Sequence, residues 1–253
     1  MEVGPSSQSS PLDNCPGIKG AISSVRFYTH SRGNSNIQTP TEEGCLQVIV
    51  PGDEWANSLT HGLGLVLSVI GLILLLIIPF QEQDHWKLMN LGIYGASLIF
   101  LYAASTCYHI LRKPKLKILF RTIDHCAIYV LIAGSYTPFT MLVLQGVWGW
   151  ALFIIVWTLA IIGIVLKVFF KNRFQVFSTV LYLFMGWLVV VAAEPLMQQF
   201  HIDGLVWLFF GGLSYTIGVI FYVFDRKKFF HAIWHLFVLT GSTCHYFAVW
   251  LYL

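Results

Sequence analysis

The feature that most constrains this chain is a succession of apolar runs, each about 20 to 26 residues long and almost free of charge. From Trp55 onward there are seven of them, approximately Ala56 to Phe80, Trp86 to Leu111, Ile118 to Val143, Val147 to Phe170, Phe174 to Leu196, Gly204 to Phe224 and Phe229 to Leu253. At a rise of about 1.5 Å per residue, each is long enough to cross a hydrocarbon layer about 30 Å thick. The runs are continuously apolar and lack the alternation of barrel strands, so helices are expected. The reading is an all-α membrane protein, a seven-transmembrane helix bundle. Composition excludes the soluble alternative: 57% of residues are hydrophobic and 11% charged, against roughly 25% charged in an ordinary soluble domain. A net charge of +3 is too small to point to a nucleic-acid partner.

Residues 1 to 52 differ in kind. They are rich in Ser, Gly, Pro and Asn and lack a long apolar run, which predicts a flexible tail with no secretory leader. The short stretch Leu46 to Val50 is a candidate for resting on the membrane surface. Residues 53–253 then form one membrane domain. Eleven Lys and Arg residues fall in the connections after the second, fourth and sixth runs, from Arg112 to Lys228, and one, Lys87, falls after the odd-numbered runs. By the positive-inside rule this puts the tail and the even connections in the cytoplasm and the C-terminus outside. The expected location is a multi-pass position in the plasma membrane. Rhodopsin-type receptors have the opposite orientation, so seven helices here do not imply G-protein coupling.

Ionisable side chains inside apolar helices are costly and mark functional sites. His231 and His235 open the seventh run at i and i+4, on one face and one turn apart, a spacing that chelates a transition metal. His109 ends the second run, with Ser105 one turn deeper, and Asp124 is read as opening the third. In the expected topology all of these lie at one membrane depth. Three imidazoles with a fourth position open to water are the ligand set of a catalytic zinc, and Zn2+ suits imidazole better than magnesium or calcium does. Asp124 is then placed to accept a hydrogen bond from a water on the metal, with Ser105 adding a second contact. The plainer alternative, interfacial polar residues, needs three histidines and a carboxylate to share one depth by accident.

Other residues are read more modestly. Glu54, Asn57 and His61 share one face of the first run and are expected to support the site or pack helices rather than ligate. His245 is expected to be an interhelical hydrogen-bonding contact, while His30, His85, His125 and His201 are given no site role. Five cysteines form no CxxC pair, and Cys107, Cys126 and Cys244 fall inside apolar runs as small buried hydrophobes. Gly211, Gly212, Gly218 and the segment Gly134 to Pro138 suggest close helix packing and one kink.

The set Glu54-x2-Asn57-x2-Thr60-His61, Ser105-x3-His109, Asp124-x2-Ala127 and His231-x3-His235 resembles the hemolysin III family and its relatives, the progestin and adipoQ receptors. The resemblance covers about residues 53 to 253. It implies a seven-helix bundle with a cytoplasmic N-terminus, a zinc held at His109, His231 and His235, and Asp124 beside a zinc-bound water. The wider superfamily includes alkaline ceramidases, which implies ceramide or another membrane lipid amide as a partner.

Three functions follow as expectations. The first is a zinc-dependent hydrolase of a lipid amide. The second is a membrane receptor or lipid-homeostasis regulator in which zinc only staples helices. The third is a hemolysin-type cytolysin, which a resident-looking bundle suits least.

Overall fold

The structure, a computed structural model, describes residues 54–144, 146–170, 175–225 and 227–253. The tail with Leu46 to Val50, His30, Cys15 and Cys45, and the basic residues Lys171, Arg173 and Arg226, lie outside the described residues.

The described residues are helical throughout, apart from short turns. Six helices are long and apolar enough to cross a membrane: Glu54–Gln81, His85–Ile110, Pro114–Leu144, Gly146–Phe170, Val176–Gln199 and Ile202–Val223. The seventh, Phe230–Tyr252, has 23 residues, enough for a span at about 1.5 Å per residue. Its three histidines, with Thr240, Ser242 and Thr243, interrupt its apolar character. Along the chain the first helix packs on the second, the second on the third, the third on the fourth and the sixth on the seventh. The first also packs on the seventh, which brings the two ends of the bundle together.

The first helix shows why this sequence belongs in lipid. Its buried residues are Glu54, Asn57, His61, Gly64, Ser68, Gly71, Leu75 and Pro79, a helical stripe of mostly small and polar side chains. Leu59, Leu63, Val66, Ile70 and Ile73 on the other side are exposed. Water would invert that pattern, whereas lipid accepts the apolar face and leaves small residues to make close interhelical contacts.

Two glycines show how close the contacts are. A Cβ on Gly134 would collide with the Ser97 side chain, and one on Gly211 with the His245 ring.

Local sequence also sets where helices start and bend. Pro114 occupies the first turn of the third helix, where its missing N–H costs nothing. The helix therefore begins four residues before the Ile118 expected from hydropathy. Pro138 ends the regular part of this helix, and Phe139–Leu144 continue it as a π-helix. The fifth span is interrupted: Gln175–Trp187 is α-helical, Leu188–Ala192 is a 3-10 turn and Ala193–Gln199 is α-helical again. In lipid the freed backbone groups must find partners. Tyr136 supplies one, its hydroxyl donating to the carbonyls of Met185 and Gly186 at 2.8 and 2.9 Å and accepting from the Val189 N–H at 2.8 Å.

Of the cysteines, Cys126 is buried and Cys244 half-buried, but Cys107 is exposed. The expected burial fails there because Cys107 faces outward, and a small apolar side chain is as well accommodated by lipid as by the core.

Candidate metal centre

His109 lies in the last turn of the second helix, and His231 and His235 in the first two turns of the seventh. One ligand atom from each lies within 4.8 Å of the others. The ring centroids are 4.6 Å apart for His231 and His235, 4.9 Å for His109 and His235, and 5.2 Å for His109 and His231. His235 is 1% exposed and His109 5%, while His231 is half-buried.

The rings are held from behind. Glu54 Oε2 accepts from His109 Nδ1 at 2.5 Å, and its other oxygen accepts from Lys117 Nζ at 3.0 Å. Lys117 also donates to the Tyr108 carbonyl at 3.3 Å. With Nδ1 engaged, His109 Nε2 is left buried without a partner. His235 Nδ1 donates to the Asn57 carbonyl at 3.2 Å, with Thr60 Oγ1 at the same distance, so its Nε2 carries the lone pair. This is how metal-binding histidines are fixed: one nitrogen tied to an acceptor, the other presented to the ion. Three convergent imidazoles and an orphaned buried nitrogen fit a divalent metal, and the group can hold one.

His61 stacks on His235, with centroids 3.5 Å apart and 16° between planes, and meets Tyr102 edge-on at 5.1 Å. Neither of its nitrogens is bonded, and Asn57 Oδ1 and Ser105 Oγ are likewise buried without a hydrogen bond. Asp124 is 9% exposed and interacts with His109, Ser105, Arg121 and Lys167. Because the third helix starts at Pro114, Asp124 does not open it as expected but sits in its third turn.

Two basic residues expected in connections are instead buried in helices, Lys117 at 6% exposure and Lys167 at 4%. Lys117 belongs to the Glu54 pair, and a signal for it was present in Pro114, which moves the helix start ahead of it. The remaining histidines have other occupations. His125 pairs with the Arg121 carbonyl and the Tyr222 hydroxyl, and His245 Nε2 lies 3.3 Å from the Leu208 carbonyl, an interhelical contact as expected. His201 caps the sixth helix through the Asp203 N–H, and His85 opens the second.

Long helices with apolar side chains turned outward, and a buried three-imidazole group at one end, define a multi-pass helical membrane protein with a candidate metal centre. A family model described as "Haemolysin-III related" matches residues 51–246. The chain belongs to the haemolysin III family. It is 45% identical over 200 residues to the "Hemolysin-3 homolog" of Bacillus subtilis (strain 168), covering 79% of this chain and 94% of that protein. The "Hemolysin-3" of Bacillus cereus is also 45% identical over 200 residues, 79% of this chain and 91% of its own. The human "Monocyte to macrophage differentiation factor" is 34% identical over 206 residues, 78% of this chain and 83% of that protein.

Proposed function

We propose that this protein is a zinc-dependent hydrolase of a lipid amide, with ceramide the leading candidate. In this reading it sits in the plasma membrane with its histidine cluster toward the cytoplasm. The observation that carries the reading is the convergence of His109, His231 and His235, the three-imidazole set a catalytic zinc can use, with a carboxylate, Asp124, close by and outside that group. Zinc bound there would lower the pKa of a water toward about 7 and polarise an amide carbonyl.

The chain's own residues supply the rest. Glu54 and Lys117 lock the His109 ring, and the Asn57 carbonyl locks His235. Asp124 takes the proton of the attacking water and passes it to the departing nitrogen, with Ser105 positioning the carboxylate. The C–O bond forms, the C–N bond breaks, and the products are a carboxylate and an amine. The outward apolar faces of the helices give an acyl chain access from the bilayer.

A second reading, a receptor or lipid regulator in which the metal is structural, is favoured by the fact that the imidazoles join helices far apart in sequence, the second and the seventh. The Asp124→Ala variant separates the two. The hydrolase reading expects zinc retained and fatty-acid release from a ceramide panel lost. The structural reading expects no turnover in the wild type and chiefly a loss of stability in the variant.

A further inference from the structure

A metal answers only part of what this site leaves open. Among the described residues, the buried side-chain atoms without a hydrogen bond around the histidines are His109 Nε2, Asn57 Oδ1, both nitrogens of His61, and Ser105 Oγ. A bound ion would take His109 Nε2, and Asp124 is the neighbour that answers Ser105 Oγ. The others lie on residues 4% exposed or less, and so deep a set of polar atoms requires partners.

Their chemistry describes the partner. Asn57 Oδ1 can only accept, so it needs an N–H or O–H donor. A neutral His61 has one nitrogen to donate and one to accept. Asn57 and His61 are four residues apart and lie on the same buried face of the first helix. They stand next to His235, Asn57 through its carbonyl and His61 by stacking. A secondary amide offers both groups at once, an N–H for Asn57 and a carbonyl oxygen for the ion and the His61 N–H. An ester offers only the second and would leave Asn57 Oδ1 buried and unpaired, which is the strong way for a site to reject an analogue.

We infer that Asn57 and His61 form an amide-reading subsite on the first helix: Asn57 Oδ1 accepts the ligand N–H, and His61 donates to the ligand's oxygen. This rests on the proposed hydrolase reading and deepens it, because it makes Asn57 the residue that selects amides over esters. Asn57 Oδ1 has no partner of its own, and it is the backbone carbonyl of this residue that holds His235.

Binding tests it without turnover. The full chain, loaded with zinc in detergent micelles, is titrated calorimetrically with N-hydroxydodecanamide and with its N-methyl analogue, two probes that present the same oxygens and differ in the N–H. The wild type is expected to bind the N–H form at least about 10-fold more tightly. Asn57→Leu should bring the ratio to about 1 with zinc content unchanged, Asn57→Asp should keep the ratio, and His61→Phe should weaken both probes alike. A wild-type ratio near 1 overturns the inference whatever the variants do, and so does an undiminished ratio in Asn57→Leu. If neither probe binds the zinc-loaded wild type, the proposed function itself fails, and the inference falls with it.

Discussion

Two buried regions of this bundle treat their polar groups in opposite ways. Around Tyr129, Tyr136, Val156 and Met185, where the third, fourth and fifth helices meet, hydrogen bonds are closed. Tyr136 serves the broken fifth helix, Trp157 Nε1 donates to Thr137 at 3.2 Å, and the Tyr182 hydroxyl donates to the His125 carbonyl at 2.9 Å. Around the histidines the bonds behind the rings are closed, but the side chains that face inward are not. The unbonded buried atoms among the described residues all belong to the first two helices, and all but Tyr94 Oη lie on Asn57, His61, Ser105 and His109. An unsatisfied polar atom in a membrane interior is expensive. Its concentration in one place separates a region built for stability from one built to receive something.

The largest break in that contrast should come from a ligand histidine. His235→Ala is expected to abolish metal binding, falling from one ion per chain to below about a tenth, because two imidazoles alone make a poor zinc site. Metal analysis of the purified variant checks it. Glu54→Gln should act next most strongly, since it weakens the bond that orients His109 and leaves Lys117 without a buried anion. A loss of about 10- to 100-fold in zinc affinity is expected, read by competition with a chelator of known affinity. Tyr136→Phe is the counterpart in the closed region. It should lower stability by about 1–3 kcal/mol by orphaning the backbone at the interrupted helix, while metal content stays the same, as thermal unfolding and metal analysis would report. His61→Phe should have the smallest effect and the opposite sign. In metal-free protein it removes two unbonded buried nitrogens and keeps a ring to stack on His235, so stability should hold or rise by up to about 1 kcal/mol. A clear loss of stability there would mean that His61 is already satisfied in the resting protein.

The sequence carried the bundle and the ligand histidines for different reasons. Helical spans are legible because lipid excludes charge over some 20 residues at a time. The pair His231 and His235 is legible because a metal needs two rings on one face. His109 needed the added step that the end of the second helix and the start of the seventh share one side. The supports of the site were legible in part: Glu54 and Asn57 were expected to stand behind it, as they do, but which ring each holds was not. Glu54 and His109 are 55 residues apart, and Lys117 and Glu54 are 63 apart, so no local pattern joins them. Lys117 and Lys167 were counted as connection charges because hydropathy registers a lysine as an interruption and cannot say that a buried carboxylate lies opposite. The break in the fifth helix was hidden in an unbroken apolar run, since what makes it tolerable is a tyrosine hydroxyl about 50 residues earlier.

The central claim is that the rings of His109, His231 and His235 bind a single zinc. Zinc-edge X-ray absorption on the purified, metal-replete full chain tests it most directly. The account predicts one zinc per chain with three imidazole nitrogens at about 2.0–2.1 Å and one further light-atom position. Substoichiometric metal, or a spectrum with sulfur or with fewer than three imidazoles around the ion, would contradict it.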